Sequence, residues 1–292
     1  MSAIAKPTAV YKTRNARPTG GESSVTAVVA SIAKLGGKVE VFYDLVAAVD
    51  KLGEILDLPL ERQDGHAPSE YEACGLLRLR NVQLGRGAHH SASPISLDLD
   101  PGERVSLSAD SHGITEDLVD AIFGLETIDS GVIEIDGHDI RDLALPALRS
   151  RVALVRDAEL FPGCILDNLR AANHGLSPED AWTVLDGVGL RDVVKALPLG
   201  LQTPLLADGT PLTRPQATAL TVARALAADP SLLILDRTLD HLDPVEGLQL
   251  LDRVGARHRH SLLVVSDDPE VHRRTDRHLH IAEDSPRHTE AA

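Results

Sequence analysis

Ser231-Leu-Leu-Ile-Leu-Asp-Arg-Thr-Leu-Asp-His-Leu-Asp-Pro244 is the stretch whose reading decides the fold. Leu232 to Leu235 is an unbroken apolar run that follows Asp229-Pro230. Such a run fits a strand buried on both faces, as in the interior of a mostly parallel sheet. It ends in Asp236, at the carboxyl edge where open α/β sheets place their ligands. Just upstream, Leu212-Thr-Arg-Pro-Gln216 leads into Ala217–Ala228, where Ala219, Leu220, Val222, Ala223 and Leu226 make a compact helix face.

This order of parts resembles the nucleotide-binding domain of ABC transporters, the exporter type in particular. In that family a signature loop, Leu-Ser-Gly-Gly-Gln, opens a helix. A hydrophobic strand ending Asp-Glu follows, and then Ser-Ala-Leu-Asp. The corresponding residues here are Leu212-Thr213-Arg214-Pro215-Gln216, then Asp236-Arg237, then Asp240-His241-Leu242-Asp243. The resemblance implies an α/β, P-loop NTPase-like fold: a mostly parallel core sheet, a small antiparallel subdomain and a helical subdomain, with a helix before them.

Composition sets outer limits. The chain has 292 residues, room for one large α/β domain plus an appendage. Only 2% of residues are aromatic against 43% hydrophobic overall, so the core must be built from Leu, Val, Ile and Ala. A formal charge of -15 argues against nucleic acid as a partner, because phosphate binding needs clustered Lys and Arg. Cys74 and Cys164 lie far apart without metal-type spacing and read as reduced thiols. No window is apolar enough to span a bilayer, and no signal-peptide core is present; the expected location is cytoplasmic, or peripheral at a membrane through a partner.

Along the chain, residues 1–23 read as a disordered basic tail with Lys6, Lys12, Arg14 and Arg17 and no acid before Glu22. Residues 24–60 read as an amphipathic helix: Val28, Ile32, Leu35, Val39, Phe42, Val46 and Val49 alternate at spacings of four and three. That segment also resembles the cytosolic end of the last membrane helix of exporter half-transporters. Residues 61–74 read as a linker, 75–284 as the ABC-type domain and 285–292 as a polar tail. Within the domain, strands are predicted at Leu76–Leu84, Ser96–Leu99, Gly102–Leu107, Ile133–Asp136, Val152–Val155, Leu262–Val265 and His278–Ala282. Leu118, Val119, Ile122 and Leu125 mark the helix after the third of these.

The residues that carry the family's chemistry differ here. The family's phosphate loop, Gly-x-x-x-x-Gly-Lys-Ser/Thr, cradles phosphate on backbone N–H groups, reaches it with Lys and holds magnesium through the hydroxyl. By the resemblance it falls on Ala109-Asp110-Ser111-His112-Gly113-Ile114-Thr115-Glu116. Ala109 and Ile114 replace the glycines, Thr115 the lysine and Glu116 the magnesium hydroxyl. Thr115 reads as an N-cap, with Glu116 and Asp117 in the first helical turn. A carboxylate about 4 Å from a phosphate charge costs roughly 4 kcal/mol at an effective dielectric near 20.

Elsewhere Arg237 stands for the water-polarising Glu, and Asp267 for the switch histidine. Arg156-Asp157-Ala158 lacks the expected glutamine, and Arg86 stands at the adenine-stacking position. In the signature loop Arg214-Pro215 replaces Gly-Gly, removing one backbone donor. Asp236 remains a weak candidate for a metal. His278 and His280 share a strand face, whereas His258 and His260 precede a different strand; with His89, His90 and His272 they read as a His-rich surface, without a metal centre.

The resulting expectation is a catalytically inactive pseudo-ATPase: a structural or regulatory subunit of an exporter-like assembly. ATP and Mg2+, the family's cofactors, are not expected to be held. Its partner would be a protein, in a homo- or hetero-oligomer that includes a membrane-embedded transporter subunit. Two other functions compete with it. One is a working ATP-binding transport subunit; the other is a non-transport scaffold assembling through the N-terminal helix.

Overall fold

A computed structural model describes residues 28–29, 42–53, 61–67, 74–84, 94–256 and 260–282. The basic tail at 1–23, Arg86, His89, His90, His258 and the tail at 285–292 lie outside the described residues. The chain divides into two units, Met1–Glu61 and Arg62–Ala292. In the first, residues 42–53 form helix α1, and Phe42, Tyr43, Leu45, Val49 and Leu52 are exposed. Among the described residues no helix is long and apolar enough to cross a membrane.

The second unit is built on a five-stranded sheet of β3 (Arg104–Ala109), β6 (Val152–Val155), β9 (Leu232–Asp236), β10 (Ser261–Val265) and β11 (Arg277–Ile281). Its order is β11-β3-β10-β9-β6, and every pairing is parallel. The Leu232–Leu235 run is β9, flanked by β10 and β6 and buried along its length. Successive side chains of a strand point to opposite faces, so a run buried on both faces must feed two cores. It does: Leu233 and Leu235 pack into one apolar cluster, and Leu232 and Ile234 into the other. On β10, Leu262 and Val264 join the first cluster, Leu263 and Val265 the second.

A second sheet, of order β2-β1-β4-β5, is antiparallel: β1 (Leu77–Gln83), β2 (Ile95–Leu99), β4 (Ser130–Ile135) and β5 (His138–Asp139). The entry to β1 is pinned by Asp136, whose Oδ1 accepts from the backbone N–H groups of Gly75 at 2.8 Å and Leu76 at 2.9 Å. The segment read as a linker is tied down at its start. Arg62 donates to the carbonyls of Ile140 at 2.6 Å, Arg141 at 2.9 Å and Leu143 at 2.7 Å.

Helix α2 (His112–Phe123) follows β3, and α3 (Leu145–Arg149) precedes β6. The helical subdomain holds α4 (Ile165–Arg170), α5 (Pro178–Gly187), α6 (Arg191–Ala196) and a two-stranded ribbon of β7 (Gly163–Cys164) with β8 (Pro204–Leu205). The start of α5 has the expected chemistry: Ser177 accepts from the Asp180 N–H, Pro178 stands in the first turn, and Glu179 and Asp180 complement the dipole. Helices α7 (Arg214–Ala227), α8 (Pro244–Gly255) and α9 (Pro269–Arg274) complete the layers.

Candidate functional site

The carboxyl ends of β3, β6, β9 and β10 meet at one edge, and there the sequence-predicted residues gather. Strand β3 ends at buried Ala109, and α2 already begins at His112. Only Asp110 and Ser111 separate them, and no residue from 109 to 116 has a positive φ. Ser111, and not Thr115, is the N-cap. The expectation of a cap at Thr115 fails because two plausible caps lie four residues apart and the nearer one to the strand wins. Thr115 sits inside the helix, buried, its hydroxyl donating to the His112 carbonyl at 2.9 Å. Glu116 therefore falls in the second turn, and the first turn carries no acid. The expectation that Glu116 and Asp117 lie in the first helical turn, where their carboxylates would fill the anion site at the helix end, is corrected accordingly. Ile114 is fully buried against the core instead of bending a loop, and exposed His112 and half-buried Gly113 open the first helical turn.

Asp236 closes β9 and is 6% exposed. A buried carboxylate needs a partner, and it has one in Arg156, which stands just past β6. The Arg156 Nε donates to Asp236 at 2.6 Å and its terminal nitrogen to Asp120 of α2 at 2.5 Å. Burial pulls the guanidinium down, but the two carboxylates outweigh it and hold Arg156 above its ordinary value. One side chain thus clasps β6, β9 and α2 together.

Beside it, Arg237 adopts φ 52, with its N–H donating to the Val265 carbonyl at 3.0 Å. Its guanidinium donates to Asp267 at 2.7 Å and also contacts the His112 ring. The Arg237 and Asp267 positions, 30 residues apart in sequence, form one ion pair. Asp240 lies 4.0 Å from Arg237 and accepts from the Ser266 hydroxyl at 2.5 Å. Burial raises the Asp240 carboxyl above its ordinary value, and nearby Asp267 adds to the rise. Asp243 caps α8 through the Val245 N–H at 3.0 Å.

The signature-like residues form a helix start. Leu212 is buried, Thr213 is the N-cap, and the Gln216 side-chain oxygen accepts from the Thr213 N–H at 2.9 Å. Arg214 and Pro215 occupy the first turn, where the missing N–H of proline costs nothing. Arg214 is exposed.

Sequence reasoning places His278 and His280 on one strand face and misses the approach of His272 to them. The rings of His272 and His278 stack at 3.6 Å between centroids. The period-two spacing of His278 and His280 was the available signal; the approach of α9 had none. Among the described residues, no group of three His, Cys, Asp or Glu side chains is arranged to hold a metal ion.

Against known proteins, a sequence model of the ABC transporter family matches residues 92–239. The chain belongs to that family. An uncharacterized ABC transporter ATP-binding protein of Bacillus subtilis, YwjA, is 29% identical over 73% of this chain and 37% of its own length. The ATP-dependent lipid A-core flippase of Methylococcus capsulatus is 31% identical over 76% of this chain and 37% of its own. The chain thus spans little more than a third of either relative. A bacterial Atm1-family ABC exporter solved with ATP bound superposes with a TM-score of 0.71, at 20% identity, over 89% of this chain and 47% of that one. The likeness extends to the fold: an ABC nucleotide-binding domain with a parallel core sheet and a small antiparallel sheet.

This membership overturns the expectation of no cofactor, because ABC ATP-binding domains of exporters bind ATP and Mg2+. The side chains present do not fit a magnesium triphosphate in the family's manner. No lysine lies in residues 108–117, the turn has two residues, and the Asp236 carboxylate is held by Arg156. The cationic side chains at this edge, Arg156 and Arg237, are each engaged by the protein's own carboxylates, Asp236 and Asp120 for the first and Asp267 for the second.

Proposed function

We propose that this chain is an exporter-type ATP-binding-cassette domain that does not hydrolyse ATP and serves its assembly as a structural or regulatory subunit. The observation that carries this reading is Arg237. It follows the β9 acid, where the family places the residue that orients the attacking water, and it is tied to Asp267 at 2.7 Å. A guanidinium accepts no proton at physiological pH, so Arg237 does not supply the base the reaction needs, and the Asp267 carboxylate is engaged in the ion pair. The altered phosphate-loop residues Ala109, Ile114, Thr115 and Glu116 point the same way. The partner on this reading is a membrane-embedded transporter component, which would place the domain at the cytoplasmic face of a membrane.

Phosphate release by the purified full chain with magnesium and ATP tests the reading. The expected rate is indistinguishable from that of a boiled control. A rate that is measurable and is abolished by Asp236→Asn would overturn the proposal and make the chain a working ATPase subunit.

A further inference from the structure

Helix α1 takes no part in the site, and its surface is unlike those of α2 to α9. Phe42, Leu45, Val46, Val49 and Leu52 are 61%, 60%, 39%, 56% and 59% exposed. At about 100° per residue they fall within one stripe roughly 120° wide. Tyr43 and Asp50 flank that stripe, and Asp44, Ala47 and Lys51 lie on the opposite face of the helix. Helices α2 to α9, by contrast, direct their apolar residues into the two clusters of the second unit. Five large side chains exposed in this way form an apolar patch on the order of 300 Å², the size at which a patch marks a contact surface.

The sequence around α1 repeats every seven residues. Val28, Leu35, Phe42 and Val49 stand seven apart, and Ile32, Val39 and Val46 recur at the same interval between them. A straight helix drifts by about 20° per heptad from a strict seven-residue repeat, so a helix laid on a globular core gains nothing by keeping one. Such a repeat holds one seam towards a second helix that coils around the first. Of its two seam positions, one carries only the β-branched Ile32, Val39 and Val46, a choice that favours two strands.

We propose that α1 is a dimerisation helix: its stripe packs against the same stripe of a second copy of this chain, independently of nucleotide and of whether the site hydrolyses ATP. Two identical stripes are self-complementary, as the interface of a two-fold dimer must be. No charged residue stands in the stripe, so none is desolvated when it is covered. A bilayer surface is a poorer occupant. Helices that lie in a membrane interface carry Lys and Arg on the polar face, whereas Asp44 and Asp50 outnumber Lys51 here. The patch is smaller than the roughly 800 Å² per partner of a standard interface, so the pair is expected to separate on dilution.

Light scattering of the full chain after size exclusion, from low micromolar to the highest soluble concentration, tests the proposal. Without nucleotide the mass is expected to rise with concentration from 31.2 kDa towards twice that value. Val46→Asp puts a carboxylate into the seam of both copies and should hold the mass at one chain throughout. Ala47→Asp places the same charge on the opposite face and should associate as the unsubstituted chain does. Both positions are exposed, so circular dichroism melts of the second unit should not change with either variant. A mass of one chain at every concentration, association only with magnesium and ATP, or equal association of Val46→Asp and the unsubstituted chain would overturn the proposal. So would a monomeric chain that floats with phosphatidylcholine–phosphatidylglycerol vesicles and loses them on Val46→Asp, which would give the stripe to a membrane. None of these readouts involves phosphate release, so they stand apart from the test of ATP hydrolysis.

Discussion

Replacing Arg156 with Met removes the cation that clasps β6, β9 and α2 while keeping most of the side chain's apolar stem. The Asp236 side chain it leaves behind is 7% exposed, and Asp120 is 19% exposed. Breaking a buried ion pair from one side costs about 3–5 kcal/mol, because a charge is left without compensation. Arg156 itself is 32% exposed, so water reaches part of the vacated space and the lower figure, or slightly less, applies. A loss of about 2–3 kcal/mol lowers the melting temperature of a domain this size by roughly 5–10 °C. Far-UV circular dichroism melts of the full chain measure it. Adding Asp236→Asn to Arg156→Met removes the stranded charge, so the double variant should melt above the Arg156→Met single. If the single variant shifts by under 1 °C, or the two substitutions simply add, the clasp does not act as an ion pair and the reasoning fails.

Thr238 is 1% exposed and its hydroxyl donates to the Val155 carbonyl at 2.6 Å, so Thr238→Val should cost about 1–3 kcal/mol in denaturant titration through the orphaned carbonyl. Gly75 has φ 82, and an added Cβ would stand 2.2 Å from the Ser231 carbonyl oxygen; Gly75→Ala should destabilise by at least about 1–2 kcal/mol from the left-handed backbone alone, read by the same titration. Asp240 has a raised folded value, so its contribution is present at low pH and lost as pH rises through that value. Asp240→Asn keeps the acceptor for Ser266 and should therefore leave the protein at least as stable as wild type at pH 7, with the advantage shrinking on acidification in melts across that range. Leu233→Ala, fully buried on β9, should cost about 2–5 kcal/mol.

The parts of the fold that were legible in the sequence are those encoded by periodicity. Leu232–Leu235 and Leu262–Val265 read as strands buried on both faces because a parallel sheet covered by helices leaves no polar face, and each does divide its side chains between two cores. The start of α2 was not legible, because Ser111 and Thr115 are both acceptable caps and local sequence does not choose between them. In the sequence Arg156 shows only as the absence of a glutamine. Its partners lie 80 and 36 residues away, and no local pattern announces a contact made at the meeting of three elements. The histidines divided in the same way: the shared face of His278 and His280 follows from strand geometry, while the stacking of His272 depends on how α9 turns back.

The position of β3 in its sheet bears on synthesis of the chain. Its two in-sheet neighbours are β10 and β11, both encoded more than 150 residues after it, whereas β9 and β6 pair with each other first. At a typical 5–20 residues per second, the ribosome needs roughly 10–30 s to travel from the end of β3 to the end of β11. Until β10 is made, the strand Arg104–Ala109, whose Val105, Leu107 and Ala109 face the apolar core, has neither edge covered. Premature termination anywhere before Ser261 leaves it in that condition permanently. Both strands that cover it lie in the segment from Ser261 onward, although most of the elements around the site have been made by then.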